Sequence, residues 1–395
     1  MSKHAVILYT IGSPENLDPA CIRDYINRFL SDKLVVKLPR FLWQPILRNM
    51  ILKSRPQRLV GRYDKIFVDG KNPYLRDMEQ LCSELHTLLT EHNQAAAQAK
   101  RAQGTASEVT PASVATAAAT SFASIASPSA SSFFGAGGFA GNDSNVLFDA
   151  SMCKSTAARA ACSGENVEYV VVPAYAYTGD GLKEIASALI SKGFGHITVI
   201  PLFPQYSDTT SKRPRLELEE LKKSFPQATF AMVRSYSTND FYISSVASMA
   251  AQSLADPRSH LLLTYHSLPK TYITLGDPYL NECRNTSDAI FRQLGLDDTR
   301  SSIAFQSKMG PMPWLQPYLE EHVDALLAKG VTRLVVMAPG FSTDCLETLY
   351  DIDINLREQF MNHGGESFSY IPCLNATAQH TRLMARLLMY SSEDL

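Results

Sequence analysis

Short apolar runs alternate with amphipathic segments along most of the chain. The first apolar run covers residues 5–12, and residues 18–30 then carry apolar side chains three and four apart, the spacing of an amphipathic helix. After a long polar interval the alternation resumes and continues almost to the last residue. Strands are predicted at residues 5–12, 168–174, 196–203, 229–234, 260–265, 302–306, 333–338 and 368–371. Helices are predicted at residues 18–30, 181–192, 215–225, 240–254, 277–294, 314–329, 345–361 and 377–390.

Strands separated by helices at steps of roughly 30 residues indicate parallel sheets built from βαβ units. The eight strands form two groups of four. We therefore predict an α/β protein with two Rossmann-like domains, each with a parallel four-stranded sheet, and an active cleft between them. Residues 1–92 and 166–236 would form the N-terminal domain and residues 237–376 the C-terminal domain, while residues 377–395 would form a helix that packs back on the N-terminal domain. A chain of 395 residues is long enough for two domains.

The composition changes between residues 93 and 165, where Ala, Ser, Thr and Gly replace most of the large apolar side chains. Such a segment buries too little apolar area to offset the entropy lost on ordering. We predict a disordered insertion here, with a helical start at residues 94–101.

The overall composition excludes several classes of protein. A formal net charge of −2 argues against a nucleic-acid-binding protein. The seven cysteines include no C-x-x-C pair, which argues against a disulfide framework and against an iron–sulfur cluster. No apolar run approaches the roughly 20 residues that span a bilayer, and neither a signal peptide nor an Arg-rich presequence is evident.

Residues 333–355 join a predicted strand to a predicted helix, and in open parallel sheets ligands bind beyond the carboxyl ends of strands. Glu347, Asp351 and Asn355 lie four residues apart on one helical face. This row could pass protons or hold a hard cation. Alternatively, Asp344 and Glu347 form a capping box, and Asp351 is a solvated surface acid.

A second set of polar residues follows other strand ends. His266 ends the strand that opens the predicted C-terminal domain, where an imidazole can act as a base or as a metal ligand, or simply as a hydrogen-bonding anchor. Tyr206 follows another strand, and Trp314 follows a third, where it could stack on a flat ligand or pack in the core. The chain has neither G-x-G-x-x-G after the first strand nor a Walker motif, so nucleotide cofactors lack support.

Residues 41–52 are rich in bulky apolar side chains, and five cations lie among and beyond them: Arg40, Arg48, Lys53, Arg55 and Arg58. An apolar face edged by cations suits a membrane interface or an amphiphilic ligand with carboxylates. A core helix with a solvated rim is the alternative.

Five segments together resemble the ferrochelatase family, whose members insert ferrous iron into a porphyrin. They are residues 201–207 (Pro-Leu-Phe-Pro-Gln-Tyr-Ser), 265–269 (Tyr-His-Ser-Leu-Pro), 276–279 (Gly-Asp-Pro-Tyr), 306–315 (Gln-Ser-Lys-Met-Gly-Pro-Met-Pro-Trp-Leu) and 339–349 (Pro-Gly-Phe-Ser-Thr-Asp-Cys-Leu-Glu-Thr-Leu). The likeness extends to residues 371–377 and is greatest to the proteobacterial branch. It implies a chelatase-like fold and the insertion of Fe²⁺ into protoporphyrin IX to form protohaem.

The resemblance also implies a set of site residues. His266 and Glu347 would be catalytic residues that, with Asp351, also contact the metal. The substrate-binding residues would be Ile11, Arg55, Tyr206, Trp314 and Phe341. Ile11 stands where enzymes that use coproporphyrin tend to have a tyrosine, which favours protoporphyrin IX. No cofactor would be permanently bound, because Fe²⁺ is a substrate.

The chain departs from the family pattern at several positions. The acidic row ends in Asn355, Ala174 replaces an arginine, and Lys71 and Asn72 replace a Gly-Ser pair before a proline. These changes leave the contacts to the porphyrin propionates open.

The resemblance also gives expectations about partners and location. The insertion suggests a mitochondrial enzyme, otherwise a cytoplasmic one, soluble or peripheral to a membrane and in contact with a neighbouring haem-pathway protein. The alternatives are a chelatase for another tetrapyrrole and metal, or a porphyrin- or haem-binding protein without turnover.

Overall fold

The computed structural model describes residues 2–103, 154–155 and 167–395. Its strands, in chain order, are β1 (Ser2–Thr10), β2 (Val167–Tyr175), β3 (His196–Pro201), β4 (Thr229–Val233), β5 (His260–His266), β6 (Ser301–Gln306), β7 (Arg333–Met337), β8 (Ser367–Ile371) and β9 (Ser392–Asp394). Strands β1 to β4 form one parallel sheet in the order β2-β1-β3-β4, and β5 to β8 form another in the order β6-β5-β7-β8. The α/β prediction is confirmed. The first sheet has a fifth strand, however, because β9 pairs antiparallel with β4.

Thirteen α-helical segments are described: α1 (Pro19–Leu30), α2 (Arg40–Ile46), α3 (Leu52–Asp64), α4 (Pro73–Gln103), α5 (Leu182–Ser191), α6 (Lys212–Ser224), α7 (Asp240–Ala251), α8 (Lys270–Thr274), α9 (Tyr279–Leu294), α10 (Leu319–Ala328), α11 (Leu346–Thr348), α12 (Arg357–Asn362) and α13 (Ala378–Tyr390). Two π-helical segments, Leu47–Ile51 and Leu349–Leu356, join α2 to α3 and α11 to α12. Residues next to the first helical residue mark where helices begin. Asp18, for example, caps α1 by accepting a hydrogen bond from the Ala20 amide.

The central strands are buried on both faces, as their apolar runs require. One hydrophobic cluster extends between the two halves of the chain, and it includes Leu8 of β1, Leu85 of α4, Leu263 of β5 and Leu387 of α13. Helix α4 packs against β2 and α13, and α13 also contacts β3 and α7. The two halves of the chain therefore share this core.

The helix before the insertion is longer than the sequence predicts. Residues 93–103 belong to α4, so they are helical and not part of a disordered segment, and the predicted helical start at residues 94–101 is the end of a longer helix. Asn93 of α4 bonds both backbone groups of Val167, with its Nδ2 2.7 Å from the carbonyl oxygen and its Oδ1 3.3 Å from the amide. This pair attaches α4 to the first residue of β2. The rest of the predicted insertion lies outside the described residues, apart from Lys154 and Ser155.

The C-terminal segment contacts the first half of the chain. Thr381 of α13 donates to Glu84 of α4 at 3.0 Å, and β9 extends the first sheet. The buried hydroxyl of Ser155 lies 2.9 Å from that of Ser392 in β9. Across the described part of the chain, no helix is long and apolar enough to cross a membrane.

Candidate active site

His266 is the last residue of β5, and its half-buried ring lies at the carboxyl edge of the second sheet. Nδ1 lies 2.8 Å from the Ser267 carbonyl oxygen. Since a carbonyl only accepts hydrogen bonds, Nδ1 carries a hydrogen, and in the neutral ring Nε2 keeps the free lone pair. His266 is therefore oriented to accept a proton or to bind a metal through Nε2.

Glu347 lies on the turn that follows the neighbouring strand, β7. The capping box there joins Cys345 to Thr348, and the Cys345 amide donates to the Thr348 hydroxyl at 2.9 Å. The predicted Asp344–Glu347 capping box is therefore wrong, because the hydroxyl takes the place predicted for the carboxylate. The half-buried Glu347 carboxylate does not take part in the cap.

Asp344 fixes the turn that carries Glu347. Its buried carboxylate accepts hydrogen bonds from the Thr348 hydroxyl at 2.9 Å, the Asn375 side-chain amide at 2.8 Å and the Tyr370 hydroxyl. In return, Asn375 Oδ1 accepts from the Asp344 amide at 2.7 Å. Asn375 has φ +47°, a left-handed conformation that asparagine tolerates. This reciprocal pair attaches the Glu347 turn to the segment after β8.

Gln306 links the two candidate catalytic residues. It pairs with His266 in the β5–β6 register, and its Nε2 donates to the Glu347 carbonyl oxygen at 3.4 Å. Gln306 thus lies beside His266 through its backbone and beside Glu347 through its side chain, whose oxygen accepts from the Thr264 hydroxyl at 3.3 Å.

Asp351 lies in the π-helical segment after Glu347. Burial and the nearby Glu347 carboxylate raise the pKa of Asp351 from its usual 3.8 to about 7. Arg62 of α3 opposes this rise and lies 3.3 Å from the Asp351 carboxylate. Asp351 is therefore not the solvated surface acid of the alternative reading, whereas Asn355 is exposed.

Arg55 of α3 approaches the same carboxylates from the other side of the cleft. Its guanidinium donates to the Met309 sulfur at 3.2 Å, and Met309 in turn accepts a 2.8 Å hydrogen bond from the Trp314 indole at its backbone carbonyl. Burial lowers the pKa of Arg55, and the field of Glu347 opposes that effect. The cleft thus contains a partly desolvated cation beside an acid.

The other predicted substrate contacts are more scattered. Ile11 and Phe341 are half-buried just beyond the ends of β1 and β7, and Trp314 is buried, forming an isolated bridge with Pro269 close to His266. Tyr206 contacts a different group of residues, since its hydroxyl donates to Asp208 at 3.4 Å. The structure connects His266, Glu347, Asp351, Arg55 and Trp314 through shared neighbours, whereas Tyr206 is not joined to them by these contacts.

Two departures from the family pattern have local explanations. Asn72 is buried, and its amide nitrogen donates to the Ser13 hydroxyl at 2.7 Å and the Pro14 carbonyl at 2.8 Å, while its oxygen accepts from the Tyr74 amide. Its polar groups are occupied in fixing the start of α4. Ala174 is fully buried in an apolar cluster.

Several residues of the cleft could not be identified from the sequence. Tyr63 is buried, and its pKa is raised by burial and by the nearby Glu347 carboxylate, yet no motif marks it. Met309 lies inside the 306–315 motif, but nothing in the motif indicates its contact with Arg55. Asp344 was identifiable only as a helix cap.

Residues 31–67 contact the second half of the chain. Leu47 and Tyr63 pack in one apolar cluster with Leu346 of α11. The Tyr272 hydroxyl of α8 donates to the Val35 carbonyl at 3.0 Å and accepts from the Lys37 amide at 3.1 Å. This segment, residues 31–67, is called the covering segment below, and it packs against α1 and against the second half of the chain.

The covering segment also carries exposed apolar side chains. Phe41 is 77% exposed and Met50 67%, with Leu42 and Ile46 beside them, whereas Trp43 and Leu47 are buried. The segment thus has a buried face, as the core-helix alternative predicts. It also has an apolar outer face, as the alternative of a membrane interface or amphiphilic ligand predicts. Within residues 2–103, 154–155 and 167–395, no group of three or more His, Cys, Asp or Glu residues could hold a metal ion.

The sequence profile described as Ferrochelatase matches residues 3–127 and 147–391. The chain belongs to the ferrochelatase family. It is 32% identical over 393 residues to a ferrochelatase of Brucella anthropi, covering 98% of this chain and 91% of that one. It is 30% identical over 392 residues to one of Escherichia coli O9:H4 (strain HS), covering 98% of both. The prediction of a metal chelatase of haem synthesis, a lyase, is confirmed.

Among solved structures, SirB from Bacillus subtilis with Fe3+ is similar at a TM-score of 0.41 and 13% identity, covering 55% of this chain and 79% of that chain. The named relatives with significant sequence identity are bacterial, so they give no support to the predicted mitochondrial location.

Proposed function

We propose that the protein inserts Fe²⁺ into protoporphyrin IX to form protohaem. The observations that support this most are that His266 ends β5, that Glu347 follows the adjacent strand β7, and that the Arg55 guanidinium lies in the field of the Glu347 carboxylate. Protoporphyrin IX has two carboxylates and must lose two N–H protons. A base and an acid can move those protons, and a desolvated cation can bind a carboxylate.

Metal insertion releases two pyrrole N–H protons as the metal enters. His266 is the proposed acceptor, since its Nε2 lone pair is free and a neutral imidazole accepts protons near neutral pH. Glu347 lies opposite on the adjacent strand end, as a metal contact or proton path. Asp351, with a pKa of about 7, can take up and release a proton at neutral pH and would carry protons towards solvent.

Arg55 is the proposed partner of a porphyrin propionate. A guanidinium prefers a bidentate carboxylate to a thioether, which is a weak acceptor. Trp314, Ile11 and Phe341 would contact the macrocycle. Because the polar groups of Asn72 are engaged in the fold, we do not assign it a propionate. Tyr206 remains a predicted contact.

The test is anaerobic incubation of the purified protein with protoporphyrin IX and Fe²⁺, with Zn²⁺ as a surrogate, following the metalloporphyrin spectrum. We expect turnover by the wild type and a loss of more than tenfold in Glu347→Gln, which keeps the shape but not the charge. Insertion into a different tetrapyrrole only, or an unaffected Glu347→Gln variant, would refute the assignment.

We also propose that the outer face of the covering segment binds membranes peripherally. Exposed Phe41 and Met50 lie on the same segment as the exposed cations Arg48 and Lys53, the combination that binds anionic lipid surfaces. Co-sedimentation with vesicles containing phosphatidylglycerol should fall in Phe41→Ser/Met50→Ser and stay unchanged in Met361→Ser, a control at another exposed methionine. Equal sedimentation of both variants would contradict the proposal. Contact with a neighbouring haem-pathway protein stays a prediction.

A further inference from the structure

Met309 lies between two proposed substrate-contacting residues. Its backbone carbonyl accepts the Trp314 indole N–H at 2.8 Å, and its sulfur accepts an Arg55 N–H at 3.2 Å. The side chain is half-buried and packs against the apolar cluster of the covering segment. Met309 therefore bridges the cleft from the second half of the chain to α3.

The Arg55–Met309 contact leaves the guanidinium poorly satisfied. An arginine has five N–H donors, and sulfur is a weak acceptor for any of them. Within the part of the chain that the structure describes, the Met309 sulfur is the one hydrogen-bond acceptor recorded for Arg55. Burial costs the charged form free energy, and the neighbouring Arg58 and Arg62 add to that cost, so the net effect is a lowered pKa although the Glu347 carboxylate opposes it. Arg55 is thus held in place and prepared for a stronger acceptor.

We propose that Met309 occupies the anion subsite of the free protein and sets its selectivity for carboxylated ligands. The thioether keeps Arg55 aimed into the cleft, and a ligand carboxylate displaces it. The displaced contact is weak, so a carboxylate can replace it at small cost, whereas a neutral ligand gains nothing from Arg55. This inference rests on the proposed function in taking a porphyrin carboxylate as the displacing group.

Three substitutions separate the roles of the sulfur and of the side-chain volume. Met309→Leu keeps the volume and removes the acceptor. Met309→Glu supplies a permanent carboxylate for Arg55, and Met309→Gln is its neutral counterpart. Met312→Leu is the control, because Met312 lies in the same loop and is 39% exposed.

The experiment measures binding without metal, by fluorescence titration of the full-length protein with protoporphyrin IX and with its dimethyl ester, which lacks the carboxylates. Met309→Leu should bind protoporphyrin IX about threefold more tightly, the effect of losing one weak hydrogen bond. Met309→Glu should bind it at least roughly tenfold more weakly than Met309→Gln, because Arg55 is already paired. Affinity for the ester should be the same in all variants within about twofold.

The inference is overturned if Met309→Leu matches the wild type, if Met309→Glu and Met309→Gln bind protoporphyrin IX equally, or if the ester shows the same changes. Thermal melting of each variant shows whether it is folded, and the Met309→Leu result stands without the polar variants. Metal insertion by the wild type is scored separately. If the wild type inserts metal but the variants do not show the expected binding differences, only the role of Met309 is refuted. If the variants show those differences but the wild type does not insert metal, only the proposed reaction is refuted.

Discussion

Asp351 gives a prediction whose magnitude follows from its surroundings. Burial and the Glu347 carboxylate raise its pKa from 3.8 to about 7, so the folded state holds this proton more tightly than the unfolded chain does. Between about pH 4 and pH 7 the folded state therefore binds more protons, and its stability falls as the pH rises. The carboxylate form is the penalised form, and the penalty is complete above about pH 7.

The full pKa rise corresponds to at most about 4 kcal/mol, at 1.36 kcal/mol per pKa unit. The Asp351 side chain is 32% exposed and pairs with a half-exposed Arg62, so solvent screening reduces the figure to about 2 kcal/mol. Asp351→Asn removes the charge and keeps the shape. We expect the variant to be about 2 kcal/mol more stable than the wild type at pH 8, and nearly equal at pH 4.

The assay is urea denaturation of both proteins at pH 4, 6 and 8, with the difference in unfolding free energy plotted against pH. Groups elsewhere cancel in this difference. Asp353→Asn serves as the control, because Asp353 lies in the same helical segment but bonds Arg357 directly at 3.2 Å, and its loss should not stabilise the protein. A wild type that gains stability relative to Asp351→Asn as the pH rises would refute the reasoning.

Three further predictions concern the frame around the cleft. Asp344→Asn should cost about 3 kcal/mol in urea denaturation, because the buried carboxylate loses charge-assisted hydrogen bonds from several donors; stability within 1 kcal/mol of the wild type would contradict this. Tyr272→Phe should speed hydrogen exchange at residues 33–38 roughly tenfold, since it removes both bonds to that loop, and Thr274→Val, which removes a bond within α8, should not. Deletion of residues 104–153 should leave metal insertion within about twofold of the wild type, because the proposed catalytic and substrate-contacting residues all lie outside that segment; loss of folding would show otherwise.

The sequence predicts much of the frame because its signals are local. Buried strands give unbroken apolar runs, and Asp18 marks the start of α1 where the structure has it. In open parallel sheets, ligands bind beyond the carboxyl ends of the strands. This rule alone predicts that His266 and the Glu347 turn lie at the same edge of the sheet. Family resemblance adds Arg55 and Trp314, which the structure connects through Met309.

The features that the sequence does not predict depend on contacts between distant segments. The Asp344 carboxylate could cap its own helix, but Tyr370 and Asn375 reach it from the segment around β8, and Thr348 takes over the cap. Asp351 looks like a surface acid until α3 covers it. The Ala-rich end of α4 looks disordered in isolation, but it continues a helix whose earlier turns, from Tyr74 to Leu89, pack in the shared core.

The central claim is that His266 accepts the pyrrole protons during metal insertion. The most direct test compares wild type, His266→Ala and His363→Ala in anaerobic incubation with protoporphyrin IX and Fe²⁺, following the loss of free-base porphyrin fluorescence. His363 is the matched control, since it is exposed and bonds Asp324 on the surface. We expect His266→Ala to bind porphyrin but lose insertion by at least roughly a hundredfold, the usual share of a general base, while His363→Ala matches the wild type. Insertion by His266→Ala at the wild-type rate would contradict the account.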